Sequence, residues 1–151
     1  MVKSESRRFE PSNGDGPDFL KDIAKYNHLQ QAYKEACDEA NVDLVHQFKC
    51  GEALLETYTC YPVVPMAFLL VSGLIQALED IPDVLTKHSI TITGGMNLAR
   101  AAWNNPALNA LVMMHNRLCD DKGGDHEKLG LIHGNGGLDY RQEIAIVARD
   151  I

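Results

Sequence analysis

The sequence predicts an α/β protein in which a mixed β-sheet is layered with α-helices. Three observations carry this. Helical and strand-type periodicities alternate along the chain in the order helix, strand, helix, strand, helix, strand, strand. The 151 residues suit one domain, large enough to bury roughly two thirds of its unfolded surface. The 45% apolar and 23% charged residues make up an ordinary globular balance.

Residues 1–17 are charged and rich in Ser, Gly and Pro, and read as a flexible tail or linker remnant before a folded domain over 18–151. Leu29 to Ala40 is a helix, because Ala32, Ala36 and Cys37 share one face, and Asn41 suits its end. Ala53 to Thr59 reads as a strand. Val64 to Leu78, apolar and following Pro62, is expected as a buried helix ending before Glu79-Asp80-Ile81-Pro82. Ser89 to Thr93 alternates Ser, Ile, Thr, Ile, Thr and gives the clearest strand signal, stopped by Gly94-Gly95. Pro106 opens a helix to about Leu118, with Asn104 or Asn105 as its cap. Lys128 to His133 and Glu143 to Val147 bracket Gly134-Asn135-Gly136-Gly137, which predicts a strand-loop-strand ending.

The net charge of −7 argues against binding to nucleic acid, which requires a concentrated basic face. The longest apolar stretch, Pro62 to Leu78, is interrupted by Pro65, Ser72, Gly73 and Gln76, so no membrane span is expected. Cys37, Cys50, Cys60 and Cys119 form no C-x-x-C pair, and the six histidines form no H-x-x-x-H or H-E-x-x-H, so no metal is expected. Without a signal peptide pattern, reduced thiols in the cytoplasm are the default, with peroxisome and mitochondrion left open.

Several residues could carry chemistry. The loop Gly134-Asn135-Gly136-Gly137 reads either as a backbone N–H cradle for an oxyanion or phosphate, or as a wide hairpin turn. It is neither a P-loop nor a dinucleotide fingerprint, since no Lys-Ser/Thr follows and the next element is a strand. Gly94-Gly95 with Trp103-Asn104-Asn105 reads as the wall of a binding crevice, or as a strand stop plus a helix cap stapled by Trp103. Cys60 becomes a nucleophile only if the helix after Pro62 lowers its pKa; otherwise it is a small buried apolar group. His133 abuts the glycine loop, as an acid, a base or a donor there, or as a solvent-facing strand residue. Glu56 is a candidate base or an exposed strand carboxylate.

Glu56-Thr57-Tyr58-Thr59-Cys60-Tyr61-Pro62, Ile90-Thr91-Ile92-Thr93-Gly94-Gly95, Trp103-Asn104-Asn105 and Gly134-Asn135-Gly136-Gly137 occur in one order. In this the chain resembles, over about Leu29 to Ile151, the C-terminal half of a thiolase-like protein. The branch it resembles is the acetyl-CoA acetyltransferase one related to sterol-carrier thiolases, which typically reads E-L-Y-S-C-F-P, T-V-T-G-G, W-N-N and G-N-G-G. The resemblance implies half of a five-layered αβαβα fold and an acyltransferase that takes a coenzyme A thioester as substrate, with no permanently bound cofactor. Carried onto this sequence, it makes Asn135, His133 and Cys60 catalytic candidates. Gly94, Gly95, Trp103, Asn104, Asn105, Gly134, Gly136 and Gly137 become candidates for substrate binding.

The chain departs from the family pattern where the chemistry is concentrated. The family's nucleophilic cysteine belongs to the first half, which this chain lacks. The histidine of the Gly-His-Pro motif has no counterpart between His88 and His115, and the final glycine loop holds no cysteine. Where many sterol-carrier thiolases read His-Asp-Cys-Phe, this chain reads Tyr58-Thr59-Cys60-Tyr61. Acyl transfer needs a thiolate, a proton carrier and oxyanion donors, and only donor-type groups remain. The resemblance therefore implies an N-terminal half from another chain, or a homo-oligomer, as partner. The alternatives are a non-catalytic acyl-CoA-binding or scaffold module, and a thiolase-like carbon–carbon lyase paired with a small OB-fold protein, with Tyr58 or Tyr61 as acid or base.

Overall fold

The computed structural model describes residues 2–8, 25–98, 105–120, 127–136 and 141–149. In chain order these form β1 (Val2–Arg8), α1 (Asn27–Ala40), α2 (Leu44–Lys49), β2 (Ala53–Glu56), α3 (Val63–Val71) and a 3-10 turn (Leu78–Asp80). They continue with α4 (Ile81–Lys87), α5 (Pro106–Cys119), β3 (Leu129–Asn135) and β4 (Arg141–Ala148). The strands make a mixed sheet in the order β1-β4-β3-β2. The β2/β3 pair is parallel, and β3/β4 and β1/β4 are antiparallel.

Alternation along β3 and β4 decides which helix covers which face. Leu129, Leu131, Ile144 and Ile146 point to one face and form the main core with Leu29, Ala32 and Ala36 of α1 and Ala67, Phe68 and Leu69 of α3. Ile132 and Val147 point to the other, against Ala110, Met114 and Leu118 of α5. Gly130 lets α5 lie this close, since a Cβ there would stand 2.3 Å from the buried Met114 Sδ. The α/β layering is thus as the sequence predicts: helices on both faces of a mixed sheet.

Three expectations need correction. Residues 2–8, expected within a flexible tail, form the edge strand β1, with Val2 opposite Val147 and Arg8 opposite Arg141; an alternating, apolar β4 offers a free ladder edge for them to pair with. The helix expected to Leu78 stops at Val71, because Gly73 turns left-handed at φ 75 and its N–H bonds back to Leu70. The chain then makes α4, whose entry is pinned by the Asp80 carboxylate accepting from the Gln76 and Ala77 N–H groups, both at 3.0 Å. Those two bonds hold the Asp80 carboxyl below its ordinary pKa. Finally, Ser89–Thr93 is not a strand. It runs as irregular backbone beside the end of β2, for a reason that lies in the site itself.

Candidate functional site

The polar groups gather past the C-terminal ends of the parallel pair β2/β3, where ligands of open α/β sheets commonly bind. The first component is Glu56, the last residue of β2. It is buried rather than exposed, at 6% accessibility. Its carboxylate accepts from Ile92 N–H at 2.7 Å, Thr93 N–H at 2.9 Å and the Thr93 hydroxyl at 2.6 Å. Two of them are backbone N–H groups of consecutive residues, which in a strand would point to opposite edges and serve ladders. A carboxylate therefore replaces a ladder, which explains why a β-like sequence folds as a loop. With three donors on it, Glu56 anchors the loop and is not placed as a base.

The second component is the turn that this anchor delivers. Gly94 and Gly95 adopt φ 86 and 87, left-handed values that β-branched or bulky residues avoid. Gly95 is also sterically obligatory, since a Cβ there would come 2.7 Å from Thr59 Oγ1. That hydroxyl oxygen accepts from Met96 N–H at 2.8 Å, which fastens the turn to the residue before Cys60. The Gly95 N–H itself bonds Thr93 Oγ1 at 3.1 Å and so is not open to an oxyanion.

The third component lies on β3 and β4. Asn135 stands opposite Gln142, and His133 shares their face two residues back. His133 is 1% exposed and stacks on Phe68 of α3, with ring centroids 5.0 Å apart at 18°. The solvent-facing alternative for His133 is thereby corrected: the main core covers this face up to the end of β3. Burial lowers its pKa to about 4, against the opposing effect of its hydrogen bond to Gln142, so the ring is neutral at pH 7. His133 Nε2 lies 2.9 Å from Gln142 Oε1, and Gln142 Nε2 donates to Asn135 Oδ1 at 2.6 Å. The Asn135 side chain also hydrogen-bonds the Cys60 thiol. Gln142 therefore links His133 to Asn135, and Asn135 in turn reaches Cys60.

Cys60 is half-buried, just ahead of α3. Burial raises its pKa above the ordinary thiol value, despite hydrogen bonds to the Tyr61 and Cys60 backbone and to Asn135. The expected lowering by the following helix does not prevail, and Cys60 is a thiol at neutral pH. Tyr58 is also raised, by burial and then by the charge of Cys60. The other named residues are dispersed. Gly134 is buried in the β3/β4 ladder. Gly136 closes the loop, its N–H to Arg141 O at 2.7 Å, so it is a turn residue rather than part of a cradle. Asn105 is exposed and holds the N-cap position of α5 without a side-chain cap bond. Trp103, Asn104 and Gly137 lie outside the described residues.

Gln142 went unread in the sequence, although a signal existed: it shares its face with Ile144 and Ile146, both core residues, so period-2 reading places it inside. Other concavities lie away from this corner. One of about 410 Å3 opens between α2 and α4, lined by Phe48, Lys49, Ile75 and His88 among others, and an apolar groove of about 330 Å3 runs along Val63, Met66 and Leu70 of α3. Among the described residues no group of three or more His, Cys, Asp or Glu could hold a metal, and no helix is long and apolar enough to cross a membrane.

No family model matches the chain, and no curated protein sequence does. Solved structures do match. One is the crystal structure of a monomeric SCP2-thiolase-like protein type 1 from Mycobacterium smegmatis, with TM-score 0.65 and 19% identity over 96% of this chain. The chain spans 28% of the length of that protein. The fold is therefore a partial thiolase-like one, a mixed sheet with helices.

Proposed function

We propose that this chain acts as the C-terminal half of a thiolase-like acyl-CoA acyltransferase, binding a coenzyme A thioester at the corner formed by Cys60, the Gly94-Gly95 turn and Asn135. The observation that carries the reading is the likeness, over 96% of the chain, to a thiolase-like protein. The site chemistry fits a supporting role. The Asn135 amide can donate to a thioester carbonyl oxygen, but an amide does not carry a proton at neutral pH. His133 is sealed in the core, and Cys60 is held as a thiol. The nucleophilic cysteine and the proton acceptor are therefore assigned to an N-terminal half as partner.

The same two observations favour a second reading, a non-catalytic acyl-CoA-binding or scaffold module, alone or as a homo-oligomer. The carbon–carbon lyase reading with an OB-fold partner is weakened at Tyr58, one of its two candidate tyrosines, because it needs a pKa that falls and that of Tyr58 rises. Calorimetric titration with acetyl-CoA, followed by a thioester-cleavage assay with and without a co-expressed thiolase N-terminal half, separates them. Binding with turnover only in the presence of that half supports the first reading. Binding without turnover in either case supports the second. No binding in either case overturns both.

A further inference from the structure

We propose that Gln142 is a positioning residue, which orients the Asn135 side-chain amide so that its N–H groups, and not its oxygen, face Cys60. Gln142 is completely buried, directly across the ladder from Asn135. Its Nε2 donates to Asn135 Oδ1 at 2.6 Å, which turns that oxygen towards β4 and leaves the Asn135 nitrogen for Cys60. Gln142 is held in this sense by its other end, where Oε1 lies 2.9 Å from His133 Nε2 and, having no hydrogen, accepts from it.

The opposite sense is disfavoured by what lies behind the histidine. If every amide were reversed, Gln142 would donate to Nε2 and the His133 proton would move to Nδ1. That atom is buried and has no hydrogen-bond partner among the described residues. A buried N–H without an acceptor is rarer and costlier than an acceptor left with a spare lone pair. The neutral His133 therefore keeps its proton on Nε2, and donation runs one way: His133 to Gln142, Gln142 to Asn135, Asn135 to the Cys60 sulfur or to a carbonyl oxygen bound beside it. The burial of His133 is thus the source of the polarity of the corner, although its ring never reaches a ligand.

The inference rests on Asn135 lying at the candidate site but not on turnover, so the two fail separately: an inactive protein leaves the following measurements unchanged. Long-range 1H–15N correlation on the unmutated chain at pH 7 is expected to show His133 as the Nε2–H tautomer; the Nδ1–H tautomer overturns the proposal. The pH profile of Cys60 alkylation, followed on its own peptide by mass spectrometry, gives the second readout. The titratable group coupled to Cys60 is Tyr58, whose own pKa the charge of Cys60 raises, and it is unaltered in the variants. Gln142→Met keeps the volume and removes the hydrogen bonds. It is expected to raise the alkylation midpoint by about half to one pH unit, the size of one lost hydrogen bond. Asn135→Ala should do the same, and the double variant no more than either. A Gln142→Met profile that superimposes on that of the parent, or shifts that add, overturns the proposal.

Discussion

Acidification should destabilise this protein through His133 in particular. The ring is fully buried, and its pKa is lowered to about 4 from an ordinary value of 6.5, burial being the main cause. The unfolded chain therefore takes up a proton that the folded chain refuses. The stability that follows is present above pH 6.5 and is lost as the pH falls towards 4. At pH 5.0 the unfolded histidine is almost wholly protonated and the folded one is about one-tenth so. Between pH 7.5 and 5.0 the linkage amounts to about 2 kcal/mol. Urea unfolding at the two pH values measures it, on the parent and on His133→Gln, whose amide can still donate to Gln142 but does not titrate. The other titrating groups are common to both proteins and cancel in the comparison. The parent should lose about 2 kcal/mol more than the variant over this interval. Equal losses would refute the placement of a neutral, sealed imidazole behind the candidate site.

Further outcomes follow from the loop and its anchor. Glu56→Ala removes three hydrogen bonds onto one buried carboxylate and should cost about 3 kcal/mol in denaturant unfolding, with Glu56→Gln recovering part of it. Gly95→Ala combines a left-handed φ with a Cβ 2.7 Å from Thr59 Oγ1, and a loss of about 2 kcal/mol is expected from thermal unfolding. Phe68→Ala opens a cavity in the main core beside His133, at about 3–5 kcal/mol, and should also raise the His133 pKa towards 6.5 in an NMR titration by admitting water. At pH 7, iodoacetamide should modify the exposed Cys50 and Cys119 faster than Cys60, which peptide mass spectrometry resolves.

What could be read in the sequence was whatever is decided within one element. Leu29, Ala32 and Ala36 mark the inward face of α1 by spacing alone, and Pro106 marks the start of α5. The glycine loop between two alternating strands gave β3 and β4. What could not be read was decided by partners far along the chain. Ser89–Thr93 has the pattern of a strand, but the Glu56 carboxylate, some 36 residues earlier, takes its donors. Nothing within the segment itself signals that. The length of the helix after Pro62 turned on Gly73, whose left-handed φ outweighs the apolar run to Leu78. At the site, Cys60 and Asn135 were named from sequence, but their connection was not. It depends on the β3/β4 register, which sets Gln142 opposite Asn135, and register across a loop is a tertiary property.

The central claim, that this corner of a partial thiolase-like fold receives a coenzyme A thioester, is tested most directly by titrating the 15N-labelled chain with acetyl-CoA and following its amide resonances. The account predicts saturable shifts concentrated at Gly94, Gly95, Cys60, Asn135 and Gly136. Shifts confined to the cavity around Phe48 and His88, or no shifts at all, would contradict it.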